Sequence, residues 1–382
     1  RGDPSKSIYE LISSNKHTTR FAKLVDAHTD IKALLSDTSA GNVTLFVPTD
    51  RAFERLPKHD GHDGHGDDDD DDDDDDDKKP PAEFVRALLA YHIVPGRFPL
   101  RRLKGQQTVG TNLSLSSLGS RPQRVRVSRS AIPFFGPAAR LNFYSRVVFG
   151  DVVAANGVVH AVDAILVPPP RQAKIVQLLP GTFSTLALAL ETTGDDDDAP
   201  PRTGGTLFAP TNHAFARLGT RTNAFLFSER GKKYLRALLK YHIVANETLY
   251  SDAFYKKKTD YDHDHDHADK NTDSASRDYW HVDLPSQLHG KPISVDIKRW
   301  FHVVSIKVNG LVNVVVKDGI AHDGVIHVVD KVLIPQHHRH HPHGDGEDDD
   351  DAVGLDELKA RLEPYLEEDE SVGRVDGGYE DL

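Results

Sequence analysis

Four motifs in this 382-residue chain carry side chains of types that do chemistry. Tyr91-His92 and Tyr241-His242 each set a phenol beside an imidazole, and both rings offer an apolar body with a polar tip. His160 with Asp163, and His327 with Asp330, recur at i, i+3, a spacing compatible with acid–base work. In an alternating strand those positions face opposite sides, so neither pair is expected to meet directly. No Gly-x-Ser-x-Gly elbow or His-Glu-x-x-His helix is present, and Asp37-Thr38-Ser39 lacks the glycine and the second copy of an aspartic-protease triplet. The expectation is a protein that is not an enzyme and needs no cofactor.

Histidine and aspartate also fill three tracts. HDGHDGHG precedes the run Asp67 to Asp77, DHDHDH spans 262–267, and HHRHHPHGDGEDDDD spans 337–351. Imidazoles suit zinc, copper or nickel and carboxylate runs hold calcium loosely, which makes His263, Asp264, His265, Asp266 and His267 candidates for weak divalent-cation binding. Two readings stand, a solvated loop without fixed ligand geometry and a loose metal or mineral contact. The eleven consecutive aspartates carry nearly all of the net charge of −12, so the acidity belongs to one insertion.

The elements that must position these residues are repeated. LFVPTDRAFERL at 45–56 matches LFAPTNHAFARL at 207–218, LLAYHIV at 88–94 matches LLKYHIV at 238–244, and GVVHAVDAILVP at 157–168 matches GVIHVVDKVLIP at 324–335. Ordered motifs at drifting offsets mean one domain twice, with insertions in different loops. In each copy a helical segment leads to a short strand ending at Pro48 or Pro210, and Thr49-Asp50 or Thr211-Asn212 is suited to cap the next helix. A further helix, with apolar positions Phe84, Val85, Leu88 and Leu89, or Tyr234, Leu235, Leu238 and Leu239, delivers Tyr-His to a helix-to-strand joint. Strands joined by Asn156-Gly157 or Asp323-Gly324 complete each copy. Helices followed by a run of strands indicate an α+β class. Domain 1 spans 5–170 with an acidic insertion at about 58–79. Domain 2 spans 171–336 with an Asp/His-rich insertion at about 256–278, and residues 337–382 form a tail. In the tail Leu355, Leu358, Leu362 and Leu366 share a helical face kinked by Pro364, which docks on a domain or on a partner.

These three ordered motifs, each present twice, resemble the fasciclin-domain proteins of extracellular adhesion and matrix. The resemblance implies tandem domains, each a wedge-like β-sandwich beside a helical layer, and adhesion or a cell-wall or matrix role. In animal members the segment around Tyr-His is associated with integrin binding, which by position would carry over to Tyr91, His92, Tyr241 and His242. From the residues alone, each Tyr-His reads first as a structural joint and only second as a contact surface.

No acidic residue lies between Glu83 and Asp151, where eleven bases occur, among them Arg124, Arg126 and Arg129. Arg124 and Arg126 share one strand face and form a basic stripe. Either the aspartate loop neutralises it at moderate salt, or an anionic polysaccharide or acidic matrix partner competes with that loop. Interleaved aromatic stacking platforms for nucleic acid are absent from the pattern. Sequons at Asn42, Asn112 and Asn246, with a chain that does not start at methionine, point to a secreted glycoprotein, and Asn246 would place a sugar beside the second Tyr-His. Arg1-Gly2-Asp3 spells an adhesion tripeptide without a shaping turn. No apolar run is long enough to span a bilayer. The expected partners are a cell-surface or matrix protein or an anionic polysaccharide, with self-association also open.

Overall fold

A computed structural model describes residues 2–39, 42–55, 80–129, 139–194, 203–252, 277–289, 291–300, 303–336 and 353–366. Two compact units divide between Pro169 and Pro170. The His/Asp candidates at 263–267, the aspartate run and the tract at 337–351 lie outside the described residues.

Domain 1 opens with α1 (Ile8–Ser13), whose Ser7 and Glu10 form a reciprocal capping box. The helical pattern then breaks. Thr18 turns its hydroxyl back to the Ile12 carbonyl at 2.8 Å, and the chain restarts as α2 (Thr19–Asp26) and α3 (Thr29–Ser36). After β1 (Val43–Pro48) comes the short α4 (Asp50–Glu54). Asp50, expected to cap that helix, instead accepts the Thr19 and Arg20 amides, so it caps α2 across the fold. The chain continues through α5 (Ala82–Tyr91), β2 (Ile93–Pro95), α6 (Leu100–Leu103), β3 (Thr108–Leu115), β4 (Arg121–Ser128), β5 (Arg140–Leu141), β6 (Ser145–Ala154) and β7 (Gly157–Val162). The sheet order is β2-β1-β7-β6-β5-β4-β3. Only β1 and β7 run parallel among these pairs, and both are buried on both faces, as their unbroken apolar runs require. One side of β1 and β7 packs on α1, α2 and α3 through Ile8, Phe21, Val25 and Leu35. The other closes over Phe46, Tyr91, Val125 and Val147.

Domain 2 repeats this plan. Its elements are α7 (Gln172–Leu178), α8 (Pro180–Thr193), β8 (Gly205–Pro210), α9 (Asn212–Ala216), α10 (Thr220–Leu226), α11 (Lys232–Lys240) and β9 (Ile243–Ala245). Strands β10 (Arg277–Pro285), β11 (Pro292–Trp300), β12 (Val303–Val308), β13 (Val312–Ala321) and β14 (Gly324–Val329) follow. The order β9-β8-β14-β13-β12-β11-β10 matches domain 1 strand for strand, including the parallel pair β8 and β14. Asn212 reproduces the long-range cap by accepting the Thr185 amide of α8, while Thr211 caps α9 itself.

The leucine helix of the tail docks on domain 2. As α12 (Leu355–Leu362) it buries Leu358 and Leu362 in that core, and a 3-10 turn through Pro364 carries Leu366 in as well. The Lys359 ammonium sits 4.2 Å from the Phe225 ring centre, and Phe225 in turn meets Tyr234 of α11.

Candidate ligand-binding surface

The repeated Tyr-His is internal in both domains. His92 and His242 are 0% and 1% exposed, and Tyr91 and Tyr241 are 0% and 3% exposed. Each histidine closes α5 or α11 with the same two bonds. Nδ1–H donates 2.8 Å to the Leu88 or Leu238 carbonyl, and Nε2 accepts the Leu166 or Leu333 amide at 2.9 Å. Burial pushes both imidazoles down to about 4, which holds them neutral in this tautomer. The Tyr91 hydroxyl donates to the Arg124 carbonyl at 2.9 Å and accepts from Asn142 at 2.7 Å; Tyr241 does the same with Pro292 and Asn309. These four side chains therefore span helix, strand and hairpin inside each domain and present no surface to a partner, which corrects the expectation of partner contact at Tyr91, His92, Tyr241 and His242.

His160 and His327 are pins of a different kind. Each sits opposite an irregular register, between Phe149 and Val152 in β6 and between Val316 and Gly319 in β13. His160 Nδ1 accepts the Asp151 amide at 3.2 Å and Nε2–H donates to the Phe98 carbonyl at 2.8 Å. His327 repeats this with Asp318 and Leu249. Asp151 and Asp318 hold left-handed backbone, at φ 59° and 57°, which these bonds secure. Burial lowers the pKa of both histidines. As the strand alternation requires, Asp163 faces elsewhere and binds the Arg146 amide and guanidinium at 2.7 and 2.6 Å. Partial burial opposes ionisation of Asp163, but those bonds and the Arg146 and Arg55 charges hold its pKa below the ordinary range. Asp330 accepts the Asn313 amide at the matching place. Both His-x-x-Asp motifs are thus architectural, and the described residues hold no cluster of three or more metal-ligating side chains.

The arginines are on the outside. Arg124 and Arg126 alternate with buried Gln123, Val125 and Val127 along β4 and share its outer face. Arg124 bonds Thr108 on β3, and Arg126 lies 4.1 Å over the Phe143 ring. Arg129 donates to the carbonyl of Lys104, the residue that follows α6 with its Arg101 and Arg102. Arg102 covers the Phe98 ring at 4.3 Å and donates to the Arg97 carbonyl. On the next strands Arg140 and Arg146 are register partners, a like-charge pair relieved by Asp163. Such a surface can hold repeated anionic groups through planar, bidentate guanidinium bonds.

Comparison with known proteins gives the lineage. The fasciclin domain model matches residues 16–168 and again 181–335. The chain belongs to the fasciclin-domain family. Aurofusarin biosynthesis cluster protein S of Gibberella zeae is 29% identical over 342 residues, covering 86% of this chain and 77% of that protein. Human periostin is 30% identical over 193 residues, which is 50% of this chain but 19% of periostin. The cell surface glycolipoprotein MPB83 of Mycobacterium bovis is 24% identical over 138 residues, covering 36% of this chain and 49% of MPB83. No helix among the described residues is long and apolar enough to cross a membrane.

Within this fasciclin framework the sequon asparagines Asn42, Asn112 and Asn246 are all exposed. Asn246 takes φ 63°, where the first copy has Gly96 at φ 99°, and its side-chain oxygen accepts from Thr203. Sequence reasoning missed Asn142 and Asn309, whose amides lock the tyrosines. Only the Asn309-Gly310 dipeptide offered a turn signal for them.

Proposed function

We propose that this protein is a secreted adhesion or matrix protein that holds an anionic polysaccharide on the arginine face of domain 1, with domain 2 as a second module on the same chain. The observation that supports it most is the unbalanced charge of that face. Among the described residues, Arg97, Arg101, Arg102, Lys104, Arg129 and Arg140 have no carboxylate within ion-pair distance. The family and the cell-surface relative support an extracellular setting, and three exposed sequons suit a glycoprotein. Asp67 to Asp77 supply an internal competitor of equal charge, which makes binding self-limiting at low salt.

The test is retention of the full chain on a sulfated-polysaccharide column. Wild type is expected to be retained and to elute earlier when Arg101, Arg102 and Arg129 are changed to glutamate. Deletion of 67–77 shifts elution to higher salt. Flow-through of the wild type would overturn the polysaccharide reading, and an unchanged elution of the deletion would overturn the competition.

A further inference from the structure

One hairpin is built against its own backbone preference. The three-residue loops between β5 and β6 (142–144) and between β12 and β13 (309–311) are counterparts, and the first two residues of each have positive φ: Asn142 at 44° and Phe143 at 68°, Asn309 at 51° and Gly310 at 72°. Two successive residues with positive φ favour Asn followed by Gly, because Asn tolerates the left-handed region and glycine enters it without a Cβ penalty. Domain 2 follows the rule, whereas domain 1 places a bulky aromatic where it is a conformational outlier. Burial does not compensate, since Phe143 is 44% exposed and the adjacent Tyr144 is 47% exposed. Strain kept at an exposed position is a mark of a functional residue.

The surroundings differ between copies in the same direction. Asn142 accepts the amide of Arg126 and Asn309 that of Ser294, so serine stands in domain 2 where domain 1 has the arginine that covers Phe143. Arg140 and Arg146 pair across β5 and β6, and their counterparts Lys307 and Asn313 pair across β12 and β13. The aromatic tip and the denser basic face therefore occur together in domain 1.

We propose that Phe143 and Tyr144, with Arg126 and Arg140, form a sugar subsite at this hairpin tip. The rings stack on the apolar C–H face of a pyranose, and the guanidinium groups hold its sulfate or carboxylate. This rests on the polysaccharide reading of the same face and assigns it a recognition residue that charge alone does not require. A purely electrostatic partner such as an acidic peptide has no use for a strained ring.

The experiment compares wild type, Phe143→Gly and Phe143→Tyr in the full chain. Binding is measured calorimetrically to a sulfated oligosaccharide, a uronate oligosaccharide and an aspartate-rich peptide. Phe143→Gly is expected to leave Tm undiminished and to weaken binding of one or both oligosaccharides about tenfold, roughly one stacking contact. Phe143→Tyr keeps that affinity, and the responding oligosaccharide tells sulfate from carboxylate. Wild-type affinity in Phe143→Gly overturns the subsite and leaves the polysaccharide reading standing. Absence of wild-type binding to either oligosaccharide overturns both, as does binding confined to the peptide. A lowered Tm in Phe143→Gly overturns the strain argument.

Discussion

The helices that carry Tyr-His have matching apolar stripes, and outside the buried tyrosines the two domains cover them differently. In domain 2 Tyr234, Leu238 and Tyr241 belong to a core completed by α12, and Leu238 is fully buried. In domain 1 the corresponding Phe84 is exposed and Leu88 only half-buried. Beneath these stripes the polar anchors are the same to within a few tenths of an ångström: His92 and His242 each bond a helix carbonyl at 2.8 Å and a distant amide at 2.9 Å. The difference teaches that what this fold must keep is the set of buried directional bonds, while apolar cover at the rim is supplied locally and in more than one way. That follows from energetics. An unpaired buried amide cannot be repaired by neighbouring packing, whereas a half-exposed leucine costs little.

Replacing the anchors is the most severe break. His92→Ala and His242→Ala each strand a buried amide and carbonyl and open a cavity, for an expected loss of about 4 kcal/mol. Both tryptophans, Trp280 and Trp300, are in domain 2, so fluorescence in a urea titration reports that domain alone. His242→Ala is expected to move the fluorescence transition, and His92→Ala a circular-dichroism transition without it.

Acid tests the same anchors together. In the fold these histidines titrate at about 4, against about 6.5 when unfolded. The unfolded chain takes up the proton first, so the full contribution is present above pH 6.5 and is lost as pH falls towards 4, about 3 kcal/mol for each histidine. Urea midpoints at pH 7 and pH 4.5 measure it; a flat profile counts against neutral, buried imidazoles.

The stripes separate the domains next. Leu362→Ala in α12 is expected to destabilise domain 2 by about 2–3 kcal/mol and leave domain 1 unmoved, while Leu88→Ala costs domain 1 about 1 kcal/mol or less. Equal effects would erase the contrast. Smallest is Gly310→Phe, which copies the strained turn into domain 2 at about 1 kcal/mol, seen as a shift of the tryptophan transition. A neutral result would show that the turn tolerates an aromatic without strain.

Much of this was legible because the sequence repeats itself. The α+β order, the joint position of Tyr-His and the outward face of Arg124 and Arg126 follow from periodicity and from matching motifs. What stayed hidden depends on partners distant in the chain. The bond from His160 reaches Phe98 and that from His327 reaches Leu249, 62 and 78 residues away, and no local pattern selects them. Asp50 looked like a cap for the helix it begins because the amides of Thr19 and Arg20 are brought to it only by folding. The hairpin at Asn142-Phe143 lacks the glycine that makes such turns readable in a sequence.

The docking of α12 also bears on how domain 2 would respond to a pulling force. Tension applied from the C-terminal side would meet this helix before any strand, and the buried Leu358, Leu362 and Leu366 follow one another along one face. The strands of the sheet, by contrast, share cross-strand hydrogen bonds over several residues and yield together. A pulling experiment on the C-terminal side is therefore expected to show a small early extension as α12 peels, before the sheet of domain 2 gives way; a single all-or-none rupture would count against it.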